Sequence, residues 1–166
     1  MLDYVGLIPL FPALGFAINL FFGRRMSKGA VGFIACAAIG LSFLLSLLVL
    51  LDLLKLPPAG RSVEKILYPW ILSGEFQANI GFLVDPLSLV MLLVVSGVSF
   101  VIHIYSVGYM HDDPDFPRYF TYLNLFVFFM LILVAANNFL LMFVGWEGVG
   151  LCSYFLIGFW YEKKSA

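Results

Sequence analysis

Residues 119–161 read YFTYLNLFVFFMLILVAANNFLLMFVGWEGVGLCSYFLIGFWY, and within them Glu147 is the one charged side chain. The polar pair Asn137-Asn138 divides the stretch into two apolar runs, Tyr119 to Ala136 and Phe139 to Tyr161. A helix rises about 1.5 Å per residue and a bilayer's hydrocarbon core is about 30 Å thick, so each run has the length of a membrane span. Two spans joined by so short a link must turn back immediately, and a tight helical hairpin is expected.

Three more runs of this kind lie upstream, from about Tyr4 to Phe22, Gly29 to Leu51, and Pro86 to Met110. Asp85-Pro86 opens the last of these as an N-cap followed by proline at the first helical position. Pro9 and Pro12 fall in the opening turns of the first run, where few internal hydrogen bonds are lost. The expected fold is an all-α polytopic membrane protein of five transmembrane helices, with residues 1–166 as a single membrane domain. Composition agrees: 63% of the residues are hydrophobic and 11% charged, whereas charged residues make up about a quarter of a soluble domain. Asp3 precedes the first span without any Lys or Arg, and Arg24-Arg25 follows it where a cleavable leader would have small residues, so no removable signal peptide is expected.

Between the second and third spans, residues 52–84 contain Pro57-Pro58, Pro69-Trp70 and Gly74, and the segment Phe76 to Val84 partly alternates polar with apolar. A short β-hairpin on the membrane surface is expected here, with an irregular loop as the alternative. Lys and Arg number six on one side of the spans (Arg24, Arg25, Lys28, Arg118, Lys163, Lys164) and three on the other (Lys55, Arg61, Lys65). That bias directs the N-terminus outward and the C-terminal tail to the cytoplasm or matrix. Tyr105, Tyr109, Trp160 and Tyr161, near span ends, read as interfacial anchors.

Several function classes drop out. A net charge of -1 provides no basic surplus for a nucleic-acid backbone. Cys36 and Cys152 each sit in an apolar run, not in a Cys-x-x-Cys or Cys/His cluster, so they read as packing residues. Neither a glycine-rich phosphate loop nor paired cysteine sets for an iron–sulfur cluster are present. The acidic segment His111-Asp112-Asp113-Pro114-Asp115 lacks the spacing of a calcium loop and reads as a solvated turn with Asp115 starting the next helix. The remaining chemistry is transport-like.

Two polar features inside the spans are candidates for that chemistry. Glu147 lies eight residues after Phe139, about 12 Å deep and near the bilayer midplane. A carboxylate there costs at least about 2.5 kcal/mol unless it is paired, protonated or in a wet cavity. At 100° per residue Leu140, Phe143, Gly150, Leu151, Tyr154 and Gly158 share its face, while Gly145, Gly148 and Cys152 group on another side and would let a neighbouring helix approach closely. Paired with a titratable lysine, Glu147 would exchange protons; the alternative is a static hydrogen-bonded core residue. In the third span Asp85, Ser88, Ser96, Ser99, His103 and Ser106 occupy one narrow arc. This seam reads as interhelical packing first and as the wall of a hydrated path second, in which His103 would pass protons. Asn124 reads as a hydrogen-bonding packing residue.

The segment Gly145-Trp146-Glu147-Gly148-Val149-Gly150-Leu151-Cys152-Ser153-Tyr154-Phe155-Leu156-Ile157-Gly158-Phe159-Trp160-Tyr161 resembles the fifth helix of the large antiporter-like subunit of respiratory complex I, subunit L in bacteria and subunit 5 in mitochondria. Asp85-Pro86-Leu87-Ser88, His103-Ile104-Tyr105-Ser106-Val107-Gly108-Tyr109-Met110 and Tyr122-Leu123-Asn124-Leu125-Phe126 resemble the third and fourth spans of the same family. The resemblance implies a proton-translocating subunit of NADH:quinone oxidoreductase in which Glu147 matches the channel glutamate. It further implies that no cofactor binds in this chain, and that NADH, FMN, iron–sulfur clusters and quinone belong to partner subunits. The implied partners are the other membrane subunits of the complex and the lipid of a bacterial or mitochondrial inner membrane. Family members run to a dozen or more helices and supply a lysine for this glutamate from a later broken helix. Here no Lys or Arg falls within the five runs and the chain stops at Lys163-Lys164-Ser165-Ala166, so it is expected to be an N-terminal fragment that does not pump alone. The competing readings are a component of a Na⁺/H⁺ antiporter and a non-catalytic assembly scaffold.

Overall fold

A computed structural model describes residues 2–74 and 76–163; Lys164, counted above among the basic residues of the tail, lies outside them. Five helices have the length and composition to cross a membrane: α1 (Leu7–Phe22), α2 (Lys28–Leu54), α3 (Pro86–Tyr109), α4 (Phe116–Ala135) and α5 (Phe139–Ile157). Local chemistry sets their starts. Ser27 caps α2, its hydroxyl accepting from the Ala30 amide. Asp85 and Ser88 form a reciprocal capping box on α3, with Pro86 at the first helical position. Asn138 caps α5, its Oδ1 accepting from Leu141 N at 2.9 Å.

α4 is the hub of the bundle. It packs against α1, α2, α3 and α5, whereas α5 packs on α4 and touches the strand that precedes α3. The α4–α5 hairpin read from Asn137-Asn138 is present. Gly145 and Gly148 make its close approach possible: a Cβ on Gly145 would stand 2.7 Å from the Leu133 backbone nitrogen, and one on Gly148 would run into the Phe129 ring. Cys152, on the same side, is fully buried. Small residues are what allow two membrane helices to reach this separation.

The link between α2 and α3 is an antiparallel hairpin, β1 (Val63–Ser73) and β2 (Phe76–Val84). Gly74 turns it with a φ of +59°, a conformation that glycine adopts without steric cost. Pro69 is tolerated in β1 because each strand of a two-stranded sheet has an unpaired edge. The hairpin is fastened to the bundle by the asparagine pair. Asn137 N donates to Gly81 O at 3.1 Å, its Nδ2 donates to Glu64 Oε1 at 2.7 Å, and Asn138 Nδ2 donates to Asn79 O at 2.7 Å. Lys65 adds an exposed ion pair to Asp3 at 2.9 Å.

The opposite end of the bundle is held by a clasp. Lys28 Nζ donates to the His111 and Asp113 carbonyls at 2.7 and 2.9 Å, and Trp160 Nε1 donates to Asp113 Oδ2 at 2.8 Å. Arg118 lies 4.7 Å from the Phe159 ring centroid and donates to the Phe159 carbonyl. These bonds explain why α5 stops at Ile157, four residues before the end of its apolar run: residues 158–161 turn back to cover the α3–α4 connection. Asp115 stands at the N-cap position of α4 without capping it; its carboxylate pairs with Arg118 at 2.8 Å.

Candidate functional site

Glu147 is the ninth residue of the nineteen in α5, and the fold turns it outward. Gly148, Gly145 and Cys152 fill the contact with α4, so the side of α5 carrying Glu147 has no covering helix. Phe143, Trp146, Leu151 and Tyr154 are exposed along it, Tyr154 at 75%, and a Cβ on Gly150 would meet nothing within 4 Å. Among the described residues the Glu147 carboxylate has no hydrogen-bond or ion-pair partner. A mid-membrane carboxylate on an uncovered face demands a cation, a proton or water from elsewhere.

His103 is placed in the opposite manner. It is fully buried, with Nδ1 2.8 Å from the Ser99 carbonyl and Nε2 3.0 Å from Asn124 Oδ1, and its ring tilts against Phe120. A neutral imidazole carries one N–H. Both nitrogens are therefore satisfied only in the imidazolium form, or with the Asn124 amide turned so that its NH₂ donates to Nε2. The rest of the α3 seam faces inward with it. Ser96 is buried and donates to its own helix at Leu92 O, and Ser106 meets Tyr119 Oη at 3.3 Å. Asn124 is thus the interhelical hydrogen-bonding residue expected of it.

Glu147 and His103 do not share a site. One faces outward from α5, the other is buried between α3 and α4, and among the described residues α5 has no bond to the seam. The sequence reading did not single out Asn19, which is 2% exposed on α1 with neither amide atom partnered. The available signal was a lone amide inside an apolar span. Among the described residues no group of three His, Cys, Asp or Glu side chains comes together as metal ligands.

Two family models match the chain. Residues 70–120 match "NADH-Ubiquinone oxidoreductase (complex I), chain 5 N-terminus", and residues 136–166 match "NADH:quinone oxidoreductase/Mrp antiporter, TM". The chain is 47% identical over 163 residues to NADH-quinone oxidoreductase subunit L of Mycobacterium tuberculosis (strain CDC 1551 / Oshkosh), covering 98% of this chain and 26% of that protein. It is 42% identical over 161 residues to NADH-ubiquinone oxidoreductase chain 5 of Triticum aestivum, covering 96% of this chain and 23% of that one. The chain therefore spans about a quarter of the length of these relatives. Among solved structures it superposes on a chain of the Mrp complex from Dietzia sp. DQ12-45-1b with a TM-score of 0.67 at 27% identity, over 90% of this chain and 16% of the other. With five membrane-length helices and these relatives, the chain is a multi-pass inner-membrane protein and belongs to the antiporter-like subunit family of NADH-quinone oxidoreductase subunit L and NADH-ubiquinone oxidoreductase chain 5.

Proposed function

We propose that this chain contributes one wall of a proton half-channel in the membrane arm of a proton-translocating NADH:quinone oxidoreductase, with Glu147 as the proton-exchanging carboxylate. The observation that carries the reading is the position of Glu147, at the middle of a membrane-spanning helix on the face that the other four helices leave open. An unpaired carboxylate at that depth is costly, and its retention makes sense where a further helix brings a titratable cation or water to it. In this reading the chain does no redox chemistry. NADH, FMN, iron–sulfur clusters and quinone act in partner subunits, and the other membrane subunits pack around these helices. The tail after Trp160 faces the cytoplasm or matrix, in line with the distribution of Lys and Arg.

The test is Glu147→Gln in the full-length subunit, because the amide keeps the size of the side chain and removes the exchangeable proton. Assembly is expected to stay near normal while proton translocation, measured in reconstituted vesicles during NADH-driven quinone reduction, falls by about 10²-fold, the low end of what a positioned acid–base group contributes. Glu147→Asp retains partial activity. Pumping at the parent rate in Glu147→Gln would assign the carboxylate a structural role and favour a scaffold. The likeness to the Mrp complex supports a second reading, a cation/proton antiporter component. Its mark is exchange driven by an ion gradient alone, without NADH or quinone.

A further inference from the structure

Three amide atoms inside the bundle have no partner within the protein: Nδ2 and Oδ1 of Asn19, and Nδ2 of Asn124. Each buried polar atom left unmatched costs about 1–3 kcal/mol, and folded proteins match nearly all such atoms with protein groups or ordered water. Asn19 does not face a dry wall. It lines a cleft of about 290 Å³ between α1 and α4, together with the polar Arg24, Arg118, Thr121 and Tyr122 and the apolar Leu20 and Pro117. At about 30 Å³ per molecule the cleft has room for several waters, and the guanidinium groups and the Thr121 oxygen supply the partners that water needs.

Beyond the cleft the polar side chains continue inward in close contact with one another. Asn124 stands one turn beyond Thr121 on α4, and its Nδ2 is pressed against α1 where Gly15 leaves the backbone bare; a Cβ there would come within 2.6 Å of it. Gly15 is in turn one helical turn before Asn19 on the same side of α1. The other end of the Asn124 amide touches His103 Nε2 at 3.0 Å. Arginines at the mouth, Asn19 and Thr121 along the cleft, and beyond its lining Asn124 and then His103 form one polar series. No residue of α5 lines the cleft; Arg118 and Tyr122, at its edge, also line a second cavity with Tyr154 and Phe155 of α5.

We propose that this cleft is a water-binding inlet that connects the Arg24/Arg118 surface, through Asn19 and Asn124, with His103. The inlet is independent of whether Glu147 carries protons.

The experiment uses the full-length subunit in its assembled complex, in membrane fragments open on both sides, with Cys36 and Cys152 replaced by alanine. Thr121→Cys is the reporter and a small sulfonate-bearing methanethiosulfonate is the probe; Leu131→Cys, on the same helix and fully buried in the apolar core, is the control. Thr121→Cys is expected to label fully and Leu131→Cys not at all. Adding Asn19→Leu, which fills the cleft with an apolar side chain, abolishes labelling of Thr121→Cys, and Asn19→Ser preserves it. Equal lack of reactivity at positions 121 and 131 overturns the proposal, as does unchanged labelling in the presence of Asn19→Leu. The comparison of the two reporters requires no change at Asn19, so it decides the matter even where Asn19→Leu fails to assemble. Because labelling is read without turnover, its outcome is distinct from that of the pumping test at Glu147.

Discussion

Gly148 and Gly150 stand two residues apart on α5 and meet opposite surroundings. The first is pressed against the Phe129 ring of α4; the second meets nothing within 4 Å. The same division separates the two titratable side chains of the bundle interior and its edge, His103 with both ring nitrogens in contact and Glu147 with no partner among the described residues. The lesson is that these five helices enclose one of the two polar side chains among themselves and leave the other on an uncovered face.

The strongest way to break that division is to exchange the sizes on its two sides. Gly148→Leu drives a branched side chain into the Phe129 ring, and overpacking of this kind costs about 1–3 kcal/mol or more. The yield of assembled complex is expected to fall before proton chemistry is affected, whereas Gly150→Leu leaves α4–α5 packing intact. Normal yield with lost pumping in Gly148→Leu would contradict the assignment of the inner side to packing. His103→Leu should follow, at about 1–3 kcal/mol, since it leaves the Asn124 amide buried without its imidazole. A double-mutant cycle with Asn124→Leu checks this: the double variant is expected to cost less than the two single variants added together. An additive cycle would mean that the 3.0 Å contact contributes nothing.

A smaller effect belongs to the helix start. The Ser88 amide beside Asp85 holds its carboxyl below the usual carboxylate range, so the folded value is lower than the unfolded one, ordinarily about 3.9. The stabilisation is then present above the unfolded value and lost as pH falls through the folded one. Asp85→Ala is expected to cost about 1 kcal/mol at neutral pH, and the difference in thermal midpoint from the parent should close in acid. The smallest effect sharpens the comparison from the outer side. Glu147→Gln should not lower the stability of the five-helix packing, read as its thermal midpoint, because the carboxylate bonds to no group among the described residues and a charge in the middle of a span is costly to keep.

The spans were legible because length and apolarity suffice to define them, and α3 began at Asp85-Pro86 because capping is local chemistry. The helical wheel separated Glu147 from Gly145, Gly148 and Cys152, but a wheel cannot say which side a neighbour covers; that follows from α4 lying centrally. The end of α5 was misjudged because tertiary bonds decide it: Trp160 to Asp113 and Arg118 to the Phe159 carbonyl join residues more than forty positions apart. Asn137-Asn138 was read as a turn, and its further work of fastening the hairpin through Gly81, Glu64 and Asn79 had no local signature. Asn19 was overlooked for a related reason, since one amide in an apolar run acquires meaning only from the helix placed against it.

The packing of α1 on α4 also carries a consequence in time. Gly15 and Asn124 lie about a hundred residues apart in the chain, and a ribosome adding about 5–20 residues per second takes several seconds to make that length. During this interval the helix that encloses Asn19 has not been synthesised. Until α4 follows, the Asn19 amide lacks the helix that buries it in the finished fold.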